Sequence, residues 1–170
     1  MSAANRRATA FAPASVANVA VGFDLLGFSM PQVGDRVTVE RDESVQGVVV
    51  ESIRGVVTEL PKDPAKNTAS VALQAMLDAL PGAKFGFRVA IEKGIPLGSG
   101  MGGSAASAVG AAVAANALLE TPFTKERLLE FALAGETAAS GSAHADNVAP
   151  CLLGGLTLAL SVDPLRIVSL

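Results

Sequence analysis

A glycine-rich run at residues 94–107 constrains this chain most, because it lies between a predicted strand and a predicted helix. The run contains five glycines. Residues 85–91 before it alternate as a strand does, and residues 104–119 after it form a helical pattern of small residues. Glycines let several backbone N–H groups converge on one point, and the N-terminus of the following helix carries partial positive charge. The sequence therefore predicts a phosphate-binding loop.

Three known glycine motifs do not fit this run. The letters Gly-x-Gly-x-x-Gly at 98–103 match the dinucleotide fingerprint, but that motif needs a second strand ending in an acidic residue, and Glu120 precedes another helix. The same residues have Walker A spacing, but Ser104 stands where that motif has lysine. A nucleophile elbow needs glycines two residues before and after one serine, which neither Ser99 nor Ser104 has.

A fourth motif does fit. Residues 96–106 resemble the phosphate loop of the GHMP small-molecule kinases, Pro-x-x-x-Gly-(Leu/Met)-x-(Ser/Gly)-Ser-Ala. Met101 replaces the commoner leucine, and Gly103 stands where many members have serine, which leaves the backbone cradle intact. Residues 12–28 and 135–150 resemble, in the same order, two further motifs in the form that the homoserine kinases of this family have. The resemblance covers nearly the whole chain.

The resemblance implies an α+β fold, the GHMP-kinase N-terminal domain, in which a mixed sheet is packed with helices. It also implies ATP-dependent phosphorylation of the L-homoserine hydroxyl, with Mg²⁺, as a step in threonine synthesis. Residues 1–170 are expected to be the N-terminal, ATP-binding domain, with the C-terminal domain absent. Two alternatives stay open: another GHMP kinase acting on mevalonate or shikimate, and a nucleotide-binding module without catalysis.

The resemblance also assigns nucleotide and metal ligands, with Ser104 and Glu136 expected to hold Mg²⁺. From the residues alone, Ser104 could be only the cap of the helix that it begins, and we expect it to serve both as that cap and as a metal ligand. Glu136 lies near a helix C-terminus in apolar surroundings, where the helix dipole disfavours a carboxylate, so either a cation or solvent exposure explains it. The expected ATP-binding residues are Pro96, Leu97, Gly98, Ser99, Gly100, Met101, Gly102, Gly103, Ser104, Ala105, Ala106, Asn67 and Lys93.

By resemblance, Asn18, Asp24, His144 and Asn147 bind homoserine, and Asp24 receives its ammonium group. Asn147 and Asp146 are the candidate catalytic residues, with Asn147 near the reacting hydroxyl. From the residues alone, Asn18 is equally a turn former, Asp24 and Asp146 are caps, and His144 is a structural histidine. A general base is left open, because phosphoryl transfer depends mainly on alignment and charge stabilisation.

Periodicity and capping signals predict the order of the elements. Strands are predicted at 7–12, 36–40, 48–53, 85–91 and 156–161, with a sixth at 166–170. Helices are predicted at 68–79, 104–119, 125–138 and 146–152. Asn67 is a candidate cap of the first helix.

Composition excludes several functions. The net charge of −3 gives no field for nucleic acid or an acidic membrane surface. The alanine-rich stretch 105–119 is too short to span a membrane, and residues 1–10 lack the apolar run of a secretory signal. The single cysteine, Cys151, lies in an apolar run and is typical of a core thiol in a reducing compartment. We therefore expect a cytoplasmic enzyme. The resemblance also implies a homodimer or self-association of this chain, because a GHMP-type N-terminal half has an apolar face that its C-terminal half would cover.

Overall fold

The computed structural model describes residues 6–17, 19–22 and 24–170. Within these ranges, six strands and four α-helices are present, with one short 3-10 turn at Ala20–Gly22. The strands are β1 (Arg7–Val16), β2 (Leu26–Asp42), β3 (Val48–Gly55), β4 (Gly86–Lys93), β5 (Leu156–Val162) and β6 (Leu165–Ser169). The helices are α1 (Thr68–Asp78), α2 (Gly103–Asn116), α3 (Lys125–Ser140) and α4 (Ala145–Leu153).

β2 organises the sheet, because it is long enough to pair with three other strands. β1 runs antiparallel along one edge of β2. On the other edge, β4 pairs with residues 36–42 of β2 and β5 pairs with residues 26–28. β3 joins β4 in parallel and β6 joins β5, giving the order β3-β4-β2-β5-β6 with β1 beside β2. The predicted α+β fold with a mixed sheet is confirmed.

The sequence prediction for β2 was too short, because the strand begins at Leu26 and not at Arg36. The pairing of β1 with β2 shifts register between Pro13, which faces Gly34, and Ala14, which faces Met30. Residues 31–33 therefore bulge out of the ladder. A proline and a glycine in this stretch interrupt the apolar alternation on which the prediction relied.

α2 is buried on most of its surface, which explains its unusual content of small residues. It lies against β1 and β2, and α1 and α3 pack against it. At Gly110, an added Cβ would come within 2.7 Å of a Val37 methyl group. The helix ends at Asn116, three residues earlier than predicted, because the Asn116 side chain binds both the N–H and the C=O of Phe123. In the described part of the chain, no helix has the length and apolar character of a membrane span.

Candidate functional site

A pocket of about 650 Å³ opens at the glycine loop that joins β4 to α2. It brings together side chains from segments that are far apart in the sequence. Ala105 and Ala106 do not line it, since both side chains are fully buried in the core behind the loop. Asn18 lies outside the described residues. The predicted site residues that do line it are Asp24, Asn67, Lys93, Pro96, Leu97, Gly98, Ser99, Gly100, Met101, Gly102, Gly103, Ser104, Glu136, His144, Asp146 and Asn147.

The backbone of the glycine loop adopts left-handed conformations at three glycines. Gly98, Gly100 and Gly102 have φ angles of 69°, 70° and 62°, in the left-handed region that other residues rarely adopt. Gly102 occupies the N-cap position of α2, so the prediction that Ser104 caps this helix was wrong. The first helical bond runs from the Ala106 N–H to the Gly102 carbonyl, at 2.9 Å. The N–H groups of residues 103–105 therefore precede the helical ladder, where an anion can accept from them.

A buried ion pair lies beneath the loop. Asp35 on β2 is fully buried and accepts from the Lys93 ammonium at the end of β4. Its other oxygen, Oδ1, accepts from the N–H groups of Gly94 and Ile95, at 3.0 and 3.3 Å. Ser107 on α2 donates to Asp35 Oδ2 at 2.8 Å. This cluster joins β2, β4 and α2 at the base of the loop.

Lys93 uses its three N–H groups on the protein itself. Besides Asp35, the ammonium donates to the Gly103 carbonyl at 2.6 Å and to the Ser107 hydroxyl at 2.9 Å. An ammonium has three donors, so this arrangement leaves none for a nucleotide. Lys93 lines the pocket as predicted, but the geometry gives it the role of holding the loop and the start of α2.

Asn67 is also engaged locally. Its Oδ1 caps α1 by accepting from the N–H groups of Ala69 and Ser70, which confirms the predicted cap. Its Nδ2 donates to the Pro61 carbonyl at 2.9 Å. One N–H of this amide is therefore left to face a ligand.

Glu136 is brought to the pocket by close packing of α3. At the neighbouring Gly135, an added Cβ would lie 2.4 Å from the Thr68 carbonyl oxygen, so only glycine lets α3 approach α1 so closely. The Glu136 side chain is buried, and its Oε2 has no hydrogen-bond partner among the described residues. Burial raises the pKa of Glu136, and the Ser104 hydroxyl and His144 oppose that shift. The predicted solvent-exposed alternative for Glu136 was therefore wrong.

The unsatisfied Glu136 oxygen and the Ser104 hydroxyl fit a magnesium ion, which prefers one or two carboxylates completed by phosphate oxygens and water. Within the described ranges, no group of three or more His, Cys, Asp and Glu side chains could hold a metal on its own. A cation here therefore depends on oxygens that a ligand supplies.

The remaining predicted residues line the pocket from two further segments. Asp24 is exposed and has a φ angle of 60°, which Asp tolerates better than most residues. His144 occupies the N-cap position of α4, so the interpretation of Asp146 as that cap was wrong. Asp146, in the first turn of α4, is buried. Burial raises the pKa of Asp146, with His144 opposing the shift and Asp24 adding to it.

Sequence reasoning missed three polar residues that support the site: Ser15, Asp35 and Ser107. Ser15 and Ser107 fall within the stretches 12–28 and 94–107, but each of the three residues is buried and bonds to a residue far away in the chain, so the sequence does not show its partner. It also missed the apolar wall of Val57 and Leu60, and Lys66 beside it, which follow β3. Apolar side chains beside an anion-binding loop are suited to an aromatic base.

Comparison with protein-family models identifies the class. The GHMP kinases N terminal domain matches residues 67–155, just over half of the chain, including the glycine loop, Glu136 and α4. The chain belongs to the GHMP kinase family.

Two curated relatives are homoserine kinases. That of Xylella fastidiosa strain 9a5c is 59% identical over 157 residues, which cover 91% of this chain and 48% of the relative. That of Chloroherpeton thalassium is 46% identical over 171 residues, which cover 96% of this chain and 54% of the relative. The chain spans about half the length of the curated relatives that it matches.

The chain is also similar to solved structures of two kinases. The homoserine kinase of Cytophaga hutchinsonii superposes with a TM-score of 0.92 at 46% identity, over 100% of this chain and 53% of that one. The mevalonate kinase of L. major has a TM-score of 0.68 at 20% identity, over 95% of this chain and 51% of that one. At this lower identity, the likeness shows the fold alone.

Proposed function

We propose that residues 1–170 are the N-terminal, ATP-binding domain of a cytoplasmic enzyme that transfers the γ-phosphoryl group of ATP to the hydroxyl of L-homoserine. The product is O-phospho-L-homoserine, an intermediate of threonine synthesis. The observation that carries this proposal is the shared pocket, in which a left-handed glycine loop at a helix N-terminus faces a buried carboxylate with an unpartnered oxygen. The similarity to homoserine kinases supports the choice of substrate.

Each part of the pocket has a distinct task in this proposal. The loop backbone and the first turn of α2 bind phosphate oxygens, while the apolar wall at Val57 and Leu60 receives the base. Ser104 and Glu136 hold Mg²⁺, which neutralises charge on the phosphate oxygens when it is bound. These residues hold the nucleotide in one orientation. Alignment of the reacting groups is the main requirement of phosphoryl transfer.

The acidic side of the pocket selects the acceptor. Asp24 is an exposed carboxylate that can pair with the ammonium group of homoserine, an interaction that neither mevalonate nor shikimate offers. His144 and Asn147 line the same end of the pocket and supply further polar contacts. Asn147 and Asp146 are proposed to lie beside the reacting hydroxyl. A chain that binds homoserine through these groups discriminates by charge as well as shape.

The test is acceptor specificity of the protein expressed from its complete reading frame, measured as ADP release with Mg²⁺ and ATP. We expect turnover with L-homoserine and none with mevalonate or shikimate. Asp24→Asn, which removes the charge and keeps a residue that tolerates positive φ, should raise the homoserine KM roughly 10- to 100-fold, the loss of one hydrogen bond to a charged group. The KM for ATP should not change. Turnover of another alcohol in preference to homoserine, or nucleotide binding with no acceptor turned over, would contradict the proposal.

A further inference from the structure

Ser15, on β1, joins three parts of the site that are remote in sequence. Its side chain is fully buried. Its hydroxyl donates to Oδ1 of Asn147, 132 residues further along the chain, at 2.9 Å. Its backbone N–H donates to the carbonyl of Met101 in the glycine loop, at 3.1 Å. The residue therefore connects the first strand, the loop and α4 at one point.

Gly102 makes this junction sterically feasible. A Cβ at residue 102 would lie 2.1 Å from the Ser15 hydroxyl oxygen and 2.9 Å from Asn147 Oδ1. Any side chain here would displace both groups. The absence of a side chain at residue 102 therefore leaves room for the hydroxyl and the amide to meet.

The direction of the hydrogen bond determines how the Asn147 amide is oriented. An asparagine amide has a carbonyl end that accepts and an NH₂ end that donates. Among the described residues, the Ser15 hydroxyl has no acceptor other than Asn147 Oδ1. Rotating the amide by half a turn would leave a buried hydroxyl proton without a partner, which costs free energy. The carbonyl end therefore faces Ser15, and the NH₂ end is left for the pocket that Asn147 lines.

We propose that Ser15 is a positioning residue that holds the Asn147 amide with its NH₂ group directed into the pocket, an inference that rests on the proposed function. In that orientation, Asn147 donates a hydrogen bond to an oxygen of the reacting groups and does not accept the proton of the homoserine hydroxyl. Charge that develops on phosphoryl oxygens is stabilised by a donor already in place. The serine contributes by removing the alternative amide orientation.

Kinetics of the protein from its complete reading frame test this role. Ser15→Ala should lower kcat up to about tenfold, the value of one hydrogen bond, with the KM for ATP unchanged. Ser15→Thr keeps the hydroxyl and should retain most of kcat. Thr9→Ala removes a hydroxyl from the exposed Thr9–Thr38 pair on the same strand and should leave kcat unaltered.

A double-mutant cycle separates positioning from general loss of structure. If Ser15 acts through Asn147, Ser15→Ala should have no further effect on kcat in the Asn147→Ala background. An equal reduction in both backgrounds, or an unchanged kcat in Ser15→Ala alone, would overturn the proposal.

A measurement without turnover distinguishes failure of this inference from failure of the proposed function. In the protein from its complete reading frame, the side-chain NH₂ signal of Asn147 can be identified by ¹⁵N NMR as the signal that disappears in Asn147→Ala. Relaxation of the Asn147 NH₂ signal should indicate a rigid amide in the wild type and in Ser15→Thr, and a mobile one in Ser15→Ala. Equal mobility in all three proteins would overturn the positioning role whatever the enzyme phosphorylates.

Discussion

The glycine loop lies between two charged regions that differ in how completely their polar atoms are paired. On the protein side, Asp35 and Lys93 are buried, and both carboxylate oxygens and all three ammonium protons have protein partners. On the pocket side, Glu136 is also buried, but one of its oxygens has no partner among the described residues. Both regions contain buried charge, and only the first is complete without a ligand.

This difference teaches which charges hold the fold and which serve the site. A buried charge with every hydrogen bond made can fix a conformation, and removing its partner is strongly destabilising. A buried carboxylate with an unpaired oxygen costs stability in the free protein. Such a group is expected where a ligand completes it, as at binding and catalytic sites. We therefore assign Asp35 and Lys93 to the scaffold, and we propose that Glu136 serves a bound ligand.

The largest effect should come from breaking the scaffold pair. Asp35→Asn leaves the Lys93 ammonium buried without a compensating charge, so the free energy of unfolding should fall by about 3–5 kcal/mol. Urea denaturation followed by far-UV circular dichroism measures this, since the chain has no Trp or Tyr for fluorescence.

The matched control for that substitution is Glu130→Gln, which makes the same chemical change in the exposed Arg127–Glu130 pair. Exposed pairs contribute little to stability, so this variant should remain close to the wild type. Similar losses in both variants would show that the buried pair does not hold the loop.

A smaller effect on stability, but a clear one on binding, should follow from changing the loop backbone. Gly100→Val places a β-branched residue at a φ of 70°, where no neighbouring atom lies within 4 Å of the added Cβ. The loop must rearrange to relieve the strain, and nucleotide affinity should fall at least about tenfold while the fold survives. Calorimetric titration with ATP and excess Mg²⁺ measures the affinity.

Gly82→Val is the control for strain alone. Gly82 has a φ of 81° and equally open surroundings, and it does not line the pocket. Its substitution should leave nucleotide affinity unchanged. If Gly100→Val binds ATP as the wild type does, the loop is not the phosphate cradle.

The smallest expected effect is the pH dependence of stability at Glu136. Because burial raises the folded-state pKa of Glu136, the folded protein binds a proton there more tightly than the unfolded chain. Stability should therefore fall as pH rises from the ordinary value of 4.5 through the raised pKa. Glu136→Gln lacks this loss, so its unfolding free energy should exceed that of the wild type at pH 7 and approach it near pH 4. A lower stability of the variant at pH 7 would contradict the assignment of Glu136 as an unpaired charge.

The order of strands and helices could be predicted from the sequence, because their apolar periods and caps are local signals. The glycine loop and most of the pocket residues were also accessible, since short motifs carry them. The early part of β2 could not be predicted, because Pro31 and Gly34 disrupt the alternation of apolar and polar residues where the strand bulges. Ser104 was mistaken for a helix cap, because nothing in the sequence shows that Gly102 adopts a left-handed conformation at that position.

The contacts that support the site could not be predicted in the same way. The Lys93–Asp35 pair joins residues 58 positions apart, and the Ser15–Asn147 bond joins residues 132 apart. Such pairs depend on how β1, β2 and α4 come together, which no local pattern contains. The sequence thus predicted residues that line the pocket better than those that hold them in place.

The most direct test of the central claim is the effect of Mg²⁺ on ATP affinity in the wild type and in Glu136→Gln, measured calorimetrically at pH 7 on the protein from its complete reading frame. If Glu136 is the buried charge that a ligand-bound cation completes, Mg²⁺ should increase ATP affinity in the wild type, and most of that increase should be lost in Glu136→Gln. Affinity without Mg²⁺ should not fall in the variant, since the loop backbone is unchanged. An equal increase in ATP affinity with Mg²⁺ in both proteins would contradict the account, and would place Glu136 with Asp35 and Lys93 among the residues that hold the fold.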